Sequence, residues 1–162
     1  MQAAFTLRDA RPGDAADIAR LVLALATFEK LEHEVVATAA DFHQQLFEPN
    51  PRAAAMMVER NGTCIGFALW FYNFSTFAGK PGLYVEDVFV EPAHRGLGIG
   101  RALFRAMARR AMAEGCARME WSVLDWNEKA IAFYRGMGAR PMDEWTVQRL
   151  SGAALAALAE GD

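Results

Sequence analysis

Between Leu83 and Ala113 the chain changes its pattern once, and abruptly. Leu83 to Val90 is an apolar run of strand length with two acids, Glu86 and Asp87, set into it. Pro92 bars its continuation. The turn Arg95-Gly96-Leu97-Gly98-Ile99-Gly100 follows. From Gly98 onward Ile99, Leu103, Met107 and Ala111 recur at helical spacing, with Phe104 and Ala108 alongside, and Gly115 closes the run. A strand that enters a helix through a glycine-rich turn commits the chain to an α/β fold.

The same turn carries chemistry. The first amides of a helix have no partner inside it, and their dipoles favour an anion. Glycines let a backbone approach phosphate oxygens closely. A phosphate or pyrophosphate suits such a turn, and close strand–helix packing is the other use of its glycines. The spacing Gly96-x-Gly98-x-Gly100 differs from the Gly-x-Gly-x-x-Gly of dinucleotide folds. The lysine and hydroxyl residue of a Walker loop are absent.

The remaining chain supplies the other elements. Phe5 and Leu7 mark a first strand, broken at Arg11-Pro12-Gly13-Asp14. A helix starts near Asp14 or Ala15 and carries Ile18, Leu21, Val22, Leu25 and Phe28 at helical spacing. Glu29 to Glu34 closes it or begins a loop. Thr38 is the expected N-cap of a second helix, which holds Phe42, Leu46 and Phe47 and ends near Pro49. Ala53 to Glu59 and Ile65 to Phe74 are strands joined by an Asn61-Gly62 hairpin. Gly79-Lys80-Pro81-Gly82 is a second turn. Met119, Trp121 and Val123 alternate as a strand, Asn127 to Met137 is a helix closed by Gly138, and Trp145, Val147 and Leu150 form a last strand. Ala153 to Glu160 is a terminal helix. The expected fold is one α/β domain spanning residues 1–162, with helices covering a mixed sheet.

Several functions are disfavoured. A net charge of −3 with no basic run does not ask for a nucleic-acid partner. No basic segment precedes an apolar run at the N-terminus, and no stretch is long enough to span a bilayer. A cytoplasmic location away from membranes is therefore expected. Cys64 and Cys116 lack metal-ligand spacing and read as buried thiols. His33, His43 and His94 form no metal-spaced set, so no metal is expected.

Arg95-Gly96-Leu97-Gly98-Ile99-Gly100 matches the Arg/Gln-x-x-Gly-x-Gly/Ala motif of the GNAT acetyltransferases. Tyr84-Val85-Glu86-Asp87, Trp126-Asn127-Glu128 and Phe133-Tyr134 extend the likeness in order along the chain. Together they resemble the diamine (spermidine/spermine) and thialysine acetyltransferase branch. The resemblance implies a mostly antiparallel sheet with a central, splayed parallel pair, Leu83–Val90 beside Met119–Leu124. It implies acetyl-CoA as co-substrate. Backbone groups near Val88, Phe89 and Val90 would pair with the pantetheine arm. The amides from Gly96 through Leu97, Gly98, Ile99 and Gly100 to Arg101 would hold the pyrophosphate, in the motif that Arg95 opens. Asn127 would reach the cofactor, cap its own helix, or do both.

Acetyl transfer needs a neutral amine, but an aliphatic ammonium has a pKa near ~10. Something must accept its proton. Glu86, beside Asp87 in an apolar strand, is the leading candidate, and salt bridges or capping are the structural alternative. By resemblance, the first acid of this pair faces the amine. Tyr134 could serve as a packed core tyrosine, but the resemblance makes it the proton donor to the departing sulfur. The Phe89 or Val90 amide would stabilise the oxyanion. Neither cysteine sits in an activating motif, so direct attack without a covalent enzyme intermediate is expected.

Glu29, Glu32, Glu34, Asp41, Glu86, Asp87, Asp125 and Glu128 would draw a small cationic amine through their field, or simply face solvent. The branch offers polyamines or diamino acids such as thialysine. Phe28 stands where polyamine-acting relatives tend to carry tyrosine, and with Glu29 it tilts the reading toward the diamino acids. A protein amine and a noncatalytic CoA-binding module are the competing functions. The branch also implies a homodimer. Trp70, Phe71, Tyr72, Phe74 and Phe77 are equally suited to its interface or to the core.

Overall fold

The computed structural model describes residues 5–161. These fall into two compact units that divide after Ser122.

The first unit is built on a five-stranded sheet in the order β1-β2-β3-β4-β5. The strands are β1 (Thr6–Asp9), β2 (Ala54–Arg60), β3 (Thr63–Ser75), β4 (Lys80–Val90) and β5 (Met119–Trp121). All neighbours are antiparallel except β4 and β5, which run parallel from Leu83↔Met119 to Val85↔Trp121. The helices of this unit are α1 (Ala15–Phe28), α2 (Ala39–Phe47) and α3 (Ile99–Ala113).

Helix starts follow local chemistry. Asp14 precedes α1 and accepts both guanidinium nitrogens of Arg8, at 2.7 and 2.9 Å, which ties the helix to β1. The hydrogen bonds from Arg8 hold the Asp14 carboxyl below its ordinary range despite its burial. Thr38 caps α2 in a reciprocal box with Asp41, so that acid is occupied in starting a helix. Gly115, at φ +73, closes α3 where its side-chain-free backbone is required.

Cross-strand neighbours share a face of the sheet. Ile18 and Leu21 of α1 and Leu46 of α2 pack with Met57, Phe67, Leu69 and Phe89 on one face. On the other face Arg110 of α3 lies over Trp70, at 5.1 Å from its ring centroid, and Phe104 meets Trp121 edge-on at 4.8 Å.

The hairpin between β3 and β4 corrects one expectation. The chain turns over residues 76–79, and Lys80, Pro81 and Gly82 already belong to β4. Gly82 marks crowding here, because a Cβ would come 2.2 Å from the Asn73 side-chain oxygen across the ladder. The aromatic run also divides. Trp70 is core at 1% exposure, whereas Phe74 and Phe77 stand in solvent at 61% and 102%.

The second unit holds α4 (Glu128–Arg135) and α5 (Gly152–Glu160). The last strand expected around Trp145, Val147 and Leu150 does not form among the described residues; Trp145 and Val147 are 75% and 79% exposed. Alternation alone does not make a strand, which exists through its ladder. β5 likewise stops at Trp121 rather than running to Leu124. No helix among the described residues is long and apolar enough to cross a membrane.

Candidate active site

Glu86 sits on a β-bulge. Leu69 pairs with Asp87 and the next residue, Trp70, pairs with Val85, which leaves Glu86 as the extra residue in β4. The bulge reverses the strand's phase. Val85 shares the Trp70 face, under α3. Asp87 shares the Leu69 face, with Phe89 and α1. Simple alternation would have put Val85 and Asp87 on the same side. Glu86 itself is exposed and Asp87 is partly buried.

The end of α1 contributes Phe28 and the C-cap residue Glu29. Burial raises the Glu29 carboxyl above its ordinary range. Asp87 is pushed up to about 6, by burial first and then by the charges of Glu86 and Glu29. Three carboxylates from β4 and α1 therefore bear on one region. Phe71 and Tyr84 stack beside them at 5.1 Å on the same face, and the Tyr84 hydroxyl meets Ser122 at 2.9 Å.

The turn after β4 passes through a short 3-10 segment, Pro92–His94, into Gly96 and Gly98. Gly98, at φ +77, is the N-cap of α3, and no side chain makes a cap hydrogen bond there. A Cβ at Gly98 would meet nothing within 4 Å, so backbone conformation, not crowding, requires the glycine. Gly98 is exposed where the helix opens, and Ile99 behind it is buried. Leu97 is exposed beside them. The parallel ladder to β5 ends at Val85, yet β4 continues through Val88 and Phe89 to Val90. Among the described residues, that stretch of β4 pairs with β3 on one side only.

Arg95 was expected to open a phosphate motif. Its Nε donates to the Val90 carbonyl at 3.0 Å, and its guanidinium carbon lies 4.7 Å from the Phe28 ring centroid and 5.6 Å from that of Phe89. Motif reading gave no sign of this stacking, since Phe28 lies far from the turn in sequence.

In the second unit Asn127 caps α4, its Oδ1 accepting from the Ala130 amide at 3.2 Å. Tyr134 lies on α4, with its ring tilted against Phe133 at 5.6 Å. Cys64, back in the first unit, is buried, and that burial pushes its thiol up to about 11.

Residues 19–139 match the acetyltransferase (GNAT) family. The chain belongs to that family. Thialysine N-epsilon-acetyltransferase of Mus musculus is 34% identical, over 94% of this chain and 96% of its own length. L-ornithine N5-acetyltransferase of Arabidopsis thaliana is 31% identical, over 94% of this chain and 86% of its own. Among solved structures, an integron cassette protein of V. cholerae superposes with a TM-score of 0.81 at 23% identity, covering 98% of this chain and 99% of that one. A ribosomal-protein-alanine N-acetyltransferase of Brucella melitensis gives 0.72 at 19% identity, over 92% and 100%. At such identities these two structures establish the fold.

The residues of this GNAT acetyltransferase fit acetyl-CoA. Its pantetheine arm has two amides, and the edge of β4 turned away from β3 offers backbone groups at Val88 and Val90; those of Phe89, expected to join them, face Phe67 in the β3 ladder instead. Its pyrophosphate matches the uncapped start of α3 behind Gly96 and Gly98.

Proposed function

We propose that this protein moves an acetyl group from acetyl-CoA to a primary amine of a small cationic substrate, a diamino acid such as thialysine before a polyamine. The observation that carries the reading is the bulge at Glu86. It gathers Glu86, Asp87 and Glu29 beside the strand edge that fits the cofactor. The relatives named for thialysine and L-ornithine support a diamino acid. Phe28 offers a polyamine no hydroxyl.

Acetyl-CoA supplies the activated thioester. Asp87 and Glu29 hold the cationic amine against the Phe28 ring. Glu86, exposed at the bulge, accepts the proton the amine must lose, directly or through water. The Val90 amide, turned away from β3, meets the negative charge that grows on the thioester oxygen. Tyr134 gives a proton to the departing sulfur. Asn127 contributes its Nδ2 to the cofactor while its Oδ1 caps α4. No enzyme thiol takes the acetyl group.

The test is CoA release over thialysine, ornithine, lysine, putrescine, spermidine, simple amines and a peptide. Turnover of a diamino acid with the highest kcat/KM is expected. Silence across every small amine would end the proposal. We further propose a homodimer through the solvent-exposed Phe74 and Phe77. The active preparation should sediment as a dimer, and a monomer at assay concentration refutes this.

Glu86→Gln should lower kcat/KM about 100-fold at neutral pH, the low end for a lost proton acceptor. The deficit should shrink as pH rises, because more amine is already neutral. A pH–rate profile with the same deficit throughout would leave Glu86 without that role.

A further inference from the structure

The cofactor needs no side chain from the turn to hold its pyrophosphate, because backbone amides at a helix start suffice. Arg95 makes contacts of another kind. Its Nε is fixed to the Val90 carbonyl, and its planar head lies against Phe28, the last residue of α1, and Phe89 of β4. One side chain thus ties the glycine turn to the end of the first helix.

We infer that Arg95 is a positioning residue for the amine site: it fixes the ring of Phe28 in place and is not the grip on the pyrophosphate. The inference rests on the proposed role of Phe28 as a wall of that site. Geometry gives the reason. Phe28 is 39% exposed at the end of α1, and the Arg95 guanidinium lies over its ring. A guanidinium stacks flat on an aromatic face and keeps its edge for hydrogen bonds. Arg95 combines the two: its guanidinium carbon lies over both rings while its Nε donates to the Val90 carbonyl. An ammonium meets phosphate only as a point charge, without the two-pronged fit of a guanidinium, and it cannot reproduce a flat plate held by an edge bond.

Arg95→Lys therefore separates the two roles. Calorimetric titration of CoA into the unliganded variant should give a Kd within about twofold of wild type, while the KM of the preferred amine rises about fivefold at nearly constant kcat. Phe28→Leu should raise the amine KM similarly, and the double variant should add little, because both changes remove the same contact. A CoA affinity lowered about tenfold in Arg95→Lys, or KM effects that simply multiply, would overturn the inference. Wild-type protein that acetylates no amine would refute the proposed function separately. The CoA titration and a melting-temperature cycle over Arg95 and Phe28 would still decide the matter. Unchanged CoA affinity with non-additive melting shifts supports Arg95 as the brace of Phe28. Weakened CoA binding or additive shifts rejects it.

Discussion

Tyr134→Phe is expected to lower kcat about 100-fold while acetyl-CoA binds as before. The substitution removes one hydroxyl and keeps the ring, so the packing of Tyr134 on Phe133 within α4 is preserved. What disappears is a phenolic O–H, a group that can donate to sulfur. A thiolate is a fairly good leaving group, so the effect belongs near the lower end of general-acid contributions rather than the upper. The measurement is CoA release under saturating substrates, with calorimetric acetyl-CoA binding on the same sample. A loss of only about threefold would remove Tyr134 from the chemistry. A fall in acetyl-CoA affinity as large as the fall in kcat would reassign it to binding.

Those parts of the fold set by short-range chemistry could be read from the chain. Ile18 and Leu21 announced α1 by their spacing, Thr38 announced the start of α2, and Gly98 and Gly115 bracketed α3. The errors fell where pairing between distant segments decides. Pro81 and Gly82 look like a turn, but the ladder to Asn73 and Phe74 makes them strand, and a Cβ at Gly82 would meet the Asn73 side chain. Trp145 and Val147 alternate like a strand without forming one. The site divides along the same line. The glycine turn and the acidic pair were visible as motifs. The bulge was not, because it exists only in the register between β3 and β4, and it alone decides that Asp87 and Val85 face opposite ways. The stacking of Arg95 on Phe28 was hidden for the same reason: it joins residues that sequence spacing keeps apart.

Asp87→Asn should make the protein more stable and less active. Burial, then the charges of Glu86 and Glu29, pushes the Asp87 carboxyl up to about 6 from an ordinary value of 3.8. Between those values the folded chain keeps a proton that the unfolded chain has released. Stability therefore falls as pH rises through this window, and above it the ionised Asp87 costs about 2–3 kcal/mol. Asparagine cannot ionise. The variant should melt about 5–10 °C above wild type at neutral pH, and the difference should vanish in acid, below the ordinary carboxylate range. Activity should move the other way. A cationic amine loses one of its anchoring charges, so kcat/KM at neutral pH should drop at least about tenfold. The wild-type profile should decline as pH falls through about 6, where Asp87 takes up its proton, and the variant should lose that limb. Melting curves and pH–rate profiles on the two proteins check both halves. A variant that melts below wild type at neutral pH would mean that Asp87 is paired and stabilising, not strained. Saturating wild type with the preferred amine should close much of the melting gap, because an ammonium beside Asp87 relieves the penalty that burial imposes.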